Sequence, residues 1–255
     1  MKVLHVVGGK LDNGAFKGAK ILHEALLDEK IDSLFINDTP SNSKEIENKI
    51  LFINNTPLKK FLYSVSVIME KFLKSLFLHS PRETFTLGIF GRDITKFEEY
   101  KKADIIHIHW LSQGFIKLKS LSKIEKPVVW TLRDMWAFTG GSHHTMDFEK
   151  YEKGQISRLI RKFKKSIYKK NFYFVAISDW LKDKAQESEV LKGFNVKRIY
   201  NNIDLKKFYK ISKDESRNLL KITSKKNIIL YGANNPQSKR KGWNIFVETL
   251  KKLDK

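Results

Sequence analysis

The stretch KVLHVVGGKLDNGAFKGAKILHEALL, residues 2–27, decides the fold of this chain. Its first six residues form a mostly apolar run that is typical of a buried strand, and Gly8 and Gly9 end that run. From Gly14 onward, apolar residues recur at intervals of three and four, which indicates a helix. Strand, glycine loop and helix in this order predict the first βα unit of an α/β domain.

Further short apolar runs follow, separated by helical or loop stretches. They are SLFIN (33–37), ADIIHIHW (103–110), PVVWTL (127–132), FYFVAI (172–177), VKRIY (196–200) and NIILYG (227–232). Such alternation predicts a doubly wound, mostly parallel sheet of the Rossmann-like type with helices on both faces. Because ligands bind at the carboxyl ends of such strands, we expect the site in loops 8–15, 109–114, 132–145 and 178–180.

Composition limits the kind of protein that this chain can be. No segment approaches the ~20 uninterrupted apolar residues of a transmembrane helix, and the first residues carry no signal-peptide pattern, so we expect a cytoplasmic protein. The absence of cysteine excludes disulfides and thiolate metal sites. The net charge of +21 favours a polyanionic partner, which leaves nucleic acid, an anionic membrane surface or a phosphate-bearing substrate.

Four stretches resemble the N-terminal part of glycosyltransferase family 4, whose enzymes have two facing Rossmann-like domains. The stretches are residues 4–26, 103–111, 126–144, and 174–188 followed by 198–208, and KPVVWTLRDMWAFTGGSHH (126–144) is the most specific. The resemblance implies an acceptor domain over residues 1–210. Residues 211–255 would then be a linker and the first βα unit of a truncated donor-binding domain.

The resemblance also implies an activity. A retaining enzyme of this family would move a sugar from a nucleotide-diphosphate sugar to a lipid-linked or glycan acceptor, here in cell-envelope or capsule synthesis. Two departures stand out. Arg133 occupies the position of a family histidine beside the reacting sugar, and the acidic pair that grips the donor in the second domain lies beyond this chain. We therefore expect residues 1–255 to be inactive alone.

Sugar transfer builds negative charge on the departing phosphate, so phosphate stabilisation is the main catalytic demand. The resemblance assigns donor-phosphate binding to Asn13, Gly14 and Ala15 at the start of a helix, and to Lys241 in the second domain. If these groups carry the charge, neither a metal nor a cofactor is required. The alternatives are a plain tight turn for the glycine loop and a solvated charge for the lysine.

The loop after PVVWTL is interpreted as an acceptor pocket with Asp134 and Arg133 as catalytic residues. Asp134 would orient a hydroxyl or act as a base, whereas Arg133 cannot be a base but could pair with a phosphate. The acceptor-binding residues would be His109, Trp110, Trp136, Thr139, Gly140, Gly141 and His143. The alternative is that Trp136 and Phe138 pack beneath the loop as a small core while Asp134 caps backbone amides.

Two basic amphipathic helices are predicted, at residues 58–77 and 156–170. An apolar face with a lysine flank is typical of an interfacial helix, but a helix packed on a sheet looks similar. We favour membrane contact for the first helix and packing for the second, which predicts peripheral binding to the inner face of an anionic membrane. The alternative functions are a non-catalytic sugar- or lipid-binding remnant and a nucleic-acid-binding protein. The latter is disfavoured because the basic residues are spread along the chain without a recognisable motif.

Overall fold

A computed structural model describes residues 1–78, 84–111, 113–224, 226–233, 236 and 239–253. The chain forms two compact units, Met1–Ile203 and Asp204–Lys255. The sequence-based boundary between residues 210 and 211 lies a few residues beyond this division. The assignment of the second unit to a donor-binding domain stays a prediction.

The first unit is built on an eight-stranded sheet. Its strands are β1 (Lys2–Val7), β2 (Asp32–Asn37), β3 (Glu45–Ile46), β4 (Ile50–Phe52), β5 (Ile105–Trp110), β6 (Val128–Leu132), β7 (Phe172–Ala176) and β8 (Val196–Arg198). Their order is β3-β4-β2-β1-β5-β6-β7-β8, and every neighbouring pair is parallel except β3 with β4. The chain winds outward from β1 in both directions, which confirms the predicted doubly wound Rossmann-like fold.

Helices connect and cover these strands. They are α1 (Gly14–Asp28), α2 (Pro57–Phe77), α3 (Glu98–Lys102), α4 (Leu118–Leu121), α5 (Glu149–Glu152), α6 (Gln155–Ile167), α7 (Asp179–Glu187), α8 (Lys213–Leu219) and α9 (Trp243–Leu253). Short 3-10 turns lie at Ile94–Lys96, Trp136–Phe138, Thr145–Asp147 and Lys239–Lys241. Helix α1 starts where the sequence predicted, because the side chain of Asn13 accepts a hydrogen bond from the backbone N–H of Phe16 at 2.6 Å and caps its first turn.

Burial of the central strands on both faces explains their near-continuous apolar character. Ile106 and Ile108 of β5, Trp130 of β6 and Phe174 of β7 all belong to the main hydrophobic cluster. On other positions of the same strands lie buried histidines, such as His107 of β5. Polar groups at such depth need hydrogen-bonding partners, and their partners define the candidate site described below.

Helix α2 is attached to the rest of the first unit through hydrogen bonds and a close backbone approach. The carboxylate of Glu70 is buried and accepts hydrogen bonds from the backbone N–H groups of Leu87, Ile89 and Phe90 at 2.9, 2.7 and 3.0 Å. A Cβ at Gly114, which has φ +72°, would lie 2.8 Å from the backbone nitrogen of Val67, so glycine permits this close approach of the helix.

An apolar stripe runs along α2, as predicted, but its side chains point away from the sheet. Its members are between 37% and 67% exposed: Leu58, Phe61, Leu62, Val65, Ile68, Met69, Phe72 and Leu76. Lys59 and Lys71 are exposed beside it, whereas Lys74 is buried and so does not belong to the lysine flank. Among the described residues, none of the helices combines the length and the apolar character that spanning a bilayer requires.

The second unit contains α8 and α9, and neither helix has a buried residue. The strand predicted at 227–232 is wrong, since the described residues 226–233 contain no strand. An isolated strand cannot satisfy its backbone hydrogen bonds, and Leu230 in this segment is 91% exposed. The ring of Tyr231 packs against Trp243 and Phe246 of α9, with centroid distances of 5.1 and 4.9 Å.

Candidate active site at the carboxyl edge of the sheet

The carboxyl ends of β1, β5 and β6 bring several predicted site residues to one edge of the first unit. Trp110 ends β5, Asp134 follows β6, and the indole N–H of Trp110 donates to Asp134 Oδ2 at 2.6 Å. Gly9, after β1, lies under the same indole, because a Cβ there would meet Trp110 at 2.5 Å. The parallel sheet thus joins residues that lie far apart in the sequence.

Asp134 is the centre of a hydrogen-bond network at this edge. Its Oδ2 also accepts from Nδ1 of His143 at 2.6 Å, and its Oδ1 accepts from the backbone N–H of Trp136 at 2.9 Å. Burial by itself raises the pKa of Asp134, but His143 and the donors of Trp136 and Trp110 outweigh burial, and the pKa is lowered. Asp134 is therefore an ionised acceptor that orients Trp110 and His143, and its catalytic role stays a prediction.

His143 links this network to a second segment of the chain. Its Nε2 lies 3.0 Å from the hydroxyl of Thr86, while its Nδ1 donates to Asp134. The indole N–H of Trp136 donates to the carbonyl of Thr86 at 2.6 Å. The segment around Thr86 therefore closes over the loop that follows β6, a contact that the sequence did not predict.

The loop of residues 136–142 is fastened to α5 and α6. Glu152 accepts from the backbone N–H of Gly140 at 3.0 Å and from the hydroxyl of Ser142. Lys164 donates to the carbonyls of Trp136 and Thr139, and its ammonium lies 3.9 Å from the centroid of the Trp136 ring. Lys164 is fully buried, and this burial lowers its pKa to about 7.

These contacts place the predicted acceptor-binding loop inside the protein. The indole of Trp136 is only 2% exposed, and Phe138 is buried with it. Thr139, Gly140, Gly141 and His143 are buried as well. In this conformation the loop packs as the small core that was the alternative interpretation, and its role as an acceptor pocket stays a prediction.

Arg133 and three histidines form a second cluster beside the first. The guanidinium of Arg133 donates to the side-chain oxygen of Asn201 and lies 3.3 Å from Nδ1 of His109. Nε2 of His109 lies 2.9 Å from Nδ1 of His5, and His107 contacts the hydroxyl of Thr131 at 2.8 Å. Burial first, and then the neighbouring histidines and Arg133, holds the pKa values of His5 and His109 well below the ordinary range.

The nitrogens of His5, His107 and His109 lie within 4.8 Å of one another, close enough for metal ligands. Two features oppose a cation there. The 2.9 Å contact between His5 and His109 is a hydrogen bond, shorter than the ~3.3 Å that separates two imidazole nitrogens around one zinc ion with bonds of about 2.0 Å. The guanidinium of Arg133 also places a positive charge against His109.

The predicted donor-phosphate residues fall into separate units. Asn13, Gly14 and Ala15 form the start of α1, and a Cβ at Gly14 would meet no atom within 4 Å, so the approach to its backbone is open. Lys241 belongs to the second unit, in the 3-10 turn Lys239–Lys241. Their joint role in binding phosphate stays a prediction.

The family model of Glycosyltransferase Family 4 matches residues 14–207, about three quarters of the chain. The crystal structure of a glycosyltransferase from Rickettsia africae ESF-5 is similar, with 14% sequence identity and a TM-score of 0.50 over 99% of this chain and 57% of that chain. This chain thus spans little more than half the length of that structure, and at such identity the likeness bears on the fold alone. No curated protein matches the sequence.

Proposed function

The chain belongs to glycosyltransferase family 4, and on that premise we propose that it is the acceptor-binding part of a retaining sugar transferase. The donor is a nucleotide-diphosphate sugar, and the acceptor is a lipid-linked or polysaccharide-linked glycan of the cell envelope or capsule. The observation that carries this proposal is the convergence of Trp110, Arg133 and Asp134 at the carboxyl edge of the sheet, in a chain of this family.

The chemistry fits the groups at this edge. Departure of a nucleotide diphosphate leaves negative charge, which backbone N–H groups at a helix start and nearby cations stabilise. Gly14 and Ala15 supply the open helix start, and Arg133 supplies a cation. The role of Asp134 is to hold Trp110 and His143 in place beside the acceptor hydroxyl.

We expect residues 1–255 to transfer no sugar by themselves. The second unit, where the family binds the donor, has no buried residue in α8 or α9, and its segment 227–232 is not a strand. Binding energy that would be used at the transition state is then missing. Turnover of a radiolabelled nucleotide sugar by purified 1–255 would contradict this part of the proposal.

The acceptor is proposed to lie at a membrane, and the exposed apolar stripe of α2 is the observation that supports this. A helix of a protein surrounded by water normally turns its apolar stripe inward, yet α2 turns Phe61, Ile68 and Phe72 outward. Its acidic residue, Glu70, is buried against backbone amides, so the exposed charges of α2 are basic. An apolar stripe flanked by lysines matches the interface of an anionic bilayer, which attracts each nearby basic residue by about 1 kcal/mol.

An apolar groove supports a lipid-linked acceptor. It has a volume of about 420 Å³ and lies between the segment at Leu87–Ile89 and α6, where Leu159 and Phe163 line it. The same segment donates its backbone N–H groups to Glu70 of α2, so the groove adjoins the membrane-facing helix. A hydrocarbon chain suits such a lining. Together these features favour a peripheral enzyme on the cytoplasmic face of the membrane.

Vesicle sedimentation tests the membrane part. We expect vesicles with anionic lipid to bind the protein more strongly than neutral vesicles, and added salt to weaken this binding. Phe61→Ser with Phe72→Ser should reduce binding, as should Lys59→Gln with Lys71→Gln. Trp180→Ser on α7 is the control, because this tryptophan is also exposed but lies on another helix. Equal loss in the control, or salt-insensitive binding, would refute the role of α2, and tight RNA binding would favour a nucleic-acid partner.

Sugar transfer tests the activity. A polypeptide in which a family donor-binding domain follows residue 255 should move label from a nucleotide sugar into a lipid or glycan fraction. A folded polypeptide that binds the donor but transfers nothing to membrane extracts would instead favour a non-catalytic sugar- or lipid-binding role.

A further inference from the structure

The guanidinium of Arg133 carries a charge that no neighbour among the described residues neutralises. Its partners are the amide oxygen of Asn201 and Nδ1 of His109, both uncharged. The side chain is largely buried, and burial lowers the pKa of Arg133 to about 10, still far above neutral pH. Burying a cation without a counter-ion costs free energy. The site therefore lacks an anionic group that would pair with Arg133.

The surrounding histidines cannot supply that charge. Arginine has only donors, so Nδ1 of His109 accepts from Arg133, and Nε2 of His109 must carry the proton that is donated to Nδ1 of His5. This chain of bonds fixes both rings as neutral tautomers. It positions the guanidinium but leaves its charge uncompensated.

The fold makes room for Arg133 at a specific place. A Cβ at Gly18 of α1 would lie 2.5 Å from Nη1 of Arg133, so the guanidinium occupies the space that the missing side chain leaves. Asn201, which follows β8, accepts a hydrogen bond from Nη1 of Arg133 through its side-chain oxygen. Arg133 itself follows β6, so its guanidinium lies at the carboxyl edge of the sheet, where ligands of such folds bind.

We propose that Arg133 is a specificity-determining residue that binds an oxyanion of the substrate, a carboxylate or a phosphate. A guanidinium matches both groups with two parallel hydrogen bonds, which a neutral sugar hydroxyl cannot offer. This inference rests on the proposed function only in that a substrate enters this edge. The guanidinium of Arg133 would select an acidic or phosphorylated substrate over a neutral one.

Calorimetric titration tests the proposal with sodium phosphate and sodium glucuronate as probes, at constant ionic strength. We expect the wild-type chain to bind at least one probe saturably, and Arg133→Gln to weaken this binding at least tenfold. Gly18→Ala should weaken it to a smaller extent, because the added methyl shifts the guanidinium while the net charge is unchanged. Arg198→Gln is the control for loss of charge, since Arg198 is already paired with Asp179 at 2.9 Å.

The two probes separate the sources of the oxyanion. Binding of phosphate alone indicates a phosphorylated acceptor or the donor diphosphate, and binding of glucuronate indicates an acidic sugar. Absence of saturable binding in the wild type, which requires no variant to fold, would overturn the proposal, as would binding that survives unchanged in a folded Arg133→Gln protein. Because these titrations involve no sugar transfer, their failure would remove Arg133 as the cation of the proposed function but not the sugar transfer itself, and failure of the transfer assay would leave the Arg133 site standing.

Discussion

Replacing Glu70 by glutamine should destabilise the first unit, and the structure gives the size of the effect. Oε1 accepts from Ile89 and Phe90 at 2.7 and 3.0 Å, and Oε2 accepts from Leu87 and Gly88 at 2.9 and 3.4 Å. Glutamine has one oxygen and one NH2 group in place of the two carboxylate oxygens. Two of the four backbone N–H groups must therefore face the NH2 group, which cannot accept their hydrogen bonds.

The less costly orientation points the NH2 group at Leu87 and Gly88, because the Gly88 bond is already long. One strong and one weak bond to a buried charged group are then lost, and two buried donors are left unsatisfied at about 1–3 kcal/mol each. We therefore expect Glu70→Gln to lower the free energy of unfolding by about 2–6 kcal/mol. This is a large part of the 5–15 kcal/mol that is typical of a domain.

Urea unfolding followed by circular dichroism measures this loss. The matched control is Glu187→Gln on α7, where an exposed carboxylate pairs with Lys184 at 2.8 Å. That change should alter the unfolding free energy by less than about 1 kcal/mol. If Glu70→Gln stays within about 0.5 kcal/mol of the wild type, the four amides do not depend on the carboxylate, and the account of how α2 is attached is wrong.

Three further predictions concern the loop after β6. Trp136→Ala should lower the unfolding free energy by about 3–5 kcal/mol, whereas Trp180→Ala on the surface should change it little; similar values for both would contradict the burial of Trp136. Gly140→Ala should also destabilise strongly, since its Cβ would lie 2.6 Å from a backbone atom of Ser157; an unchanged urea midpoint would refute this packing. Burial lowers the pKa of Lys164 from its ordinary value of 10.5 to about 7 in the folded protein, so between these values the unfolded chain binds more protons and stability rises with pH. The difference in unfolding free energy between wild type and Lys164→Met should therefore rise from pH 7 to 9.5, by at most about 1.4 kcal/mol per pH unit, and a flat difference would show that the pKa of Lys164 is not lowered.

Much of the fold was predictable because its signals are local. The run at residues 2–7 became β1 with the predicted bounds, and α1 and α2 lie where apolar spacing indicated. The short strands β3 and β4 were missed, since two- and three-residue strands are too short to show a period. The run at 227–232 has the same apolar character as β1 but forms no strand, because a strand depends on neighbours that a local pattern does not reveal.

The candidate site was predictable in position but not in detail. The rule that loops gather at the carboxyl edge of a parallel sheet located Trp110, Arg133 and Asp134 correctly at that edge. Glu70 and Lys164 were missed, although a lone carboxylate within an apolar, basic helix was a signal for Glu70. Lys164 gave no signal, since a lysine among many lysines resembles a solvated charge until its tertiary contacts are known.

Sugar transfer is the measurement that tests the central claim most directly. A polypeptide with residues 1–255 followed by a family donor-binding domain would be incubated with radiolabelled nucleotide sugars and membrane lipid, beside 1–255 alone. We predict label in the lipid or glycan fraction with the extended polypeptide, and none with 1–255 alone. Transfer by 1–255 alone, or no transfer by an extended polypeptide that is folded and binds its donor, would contradict the claim that this chain is the acceptor-binding part of a glycosyltransferase.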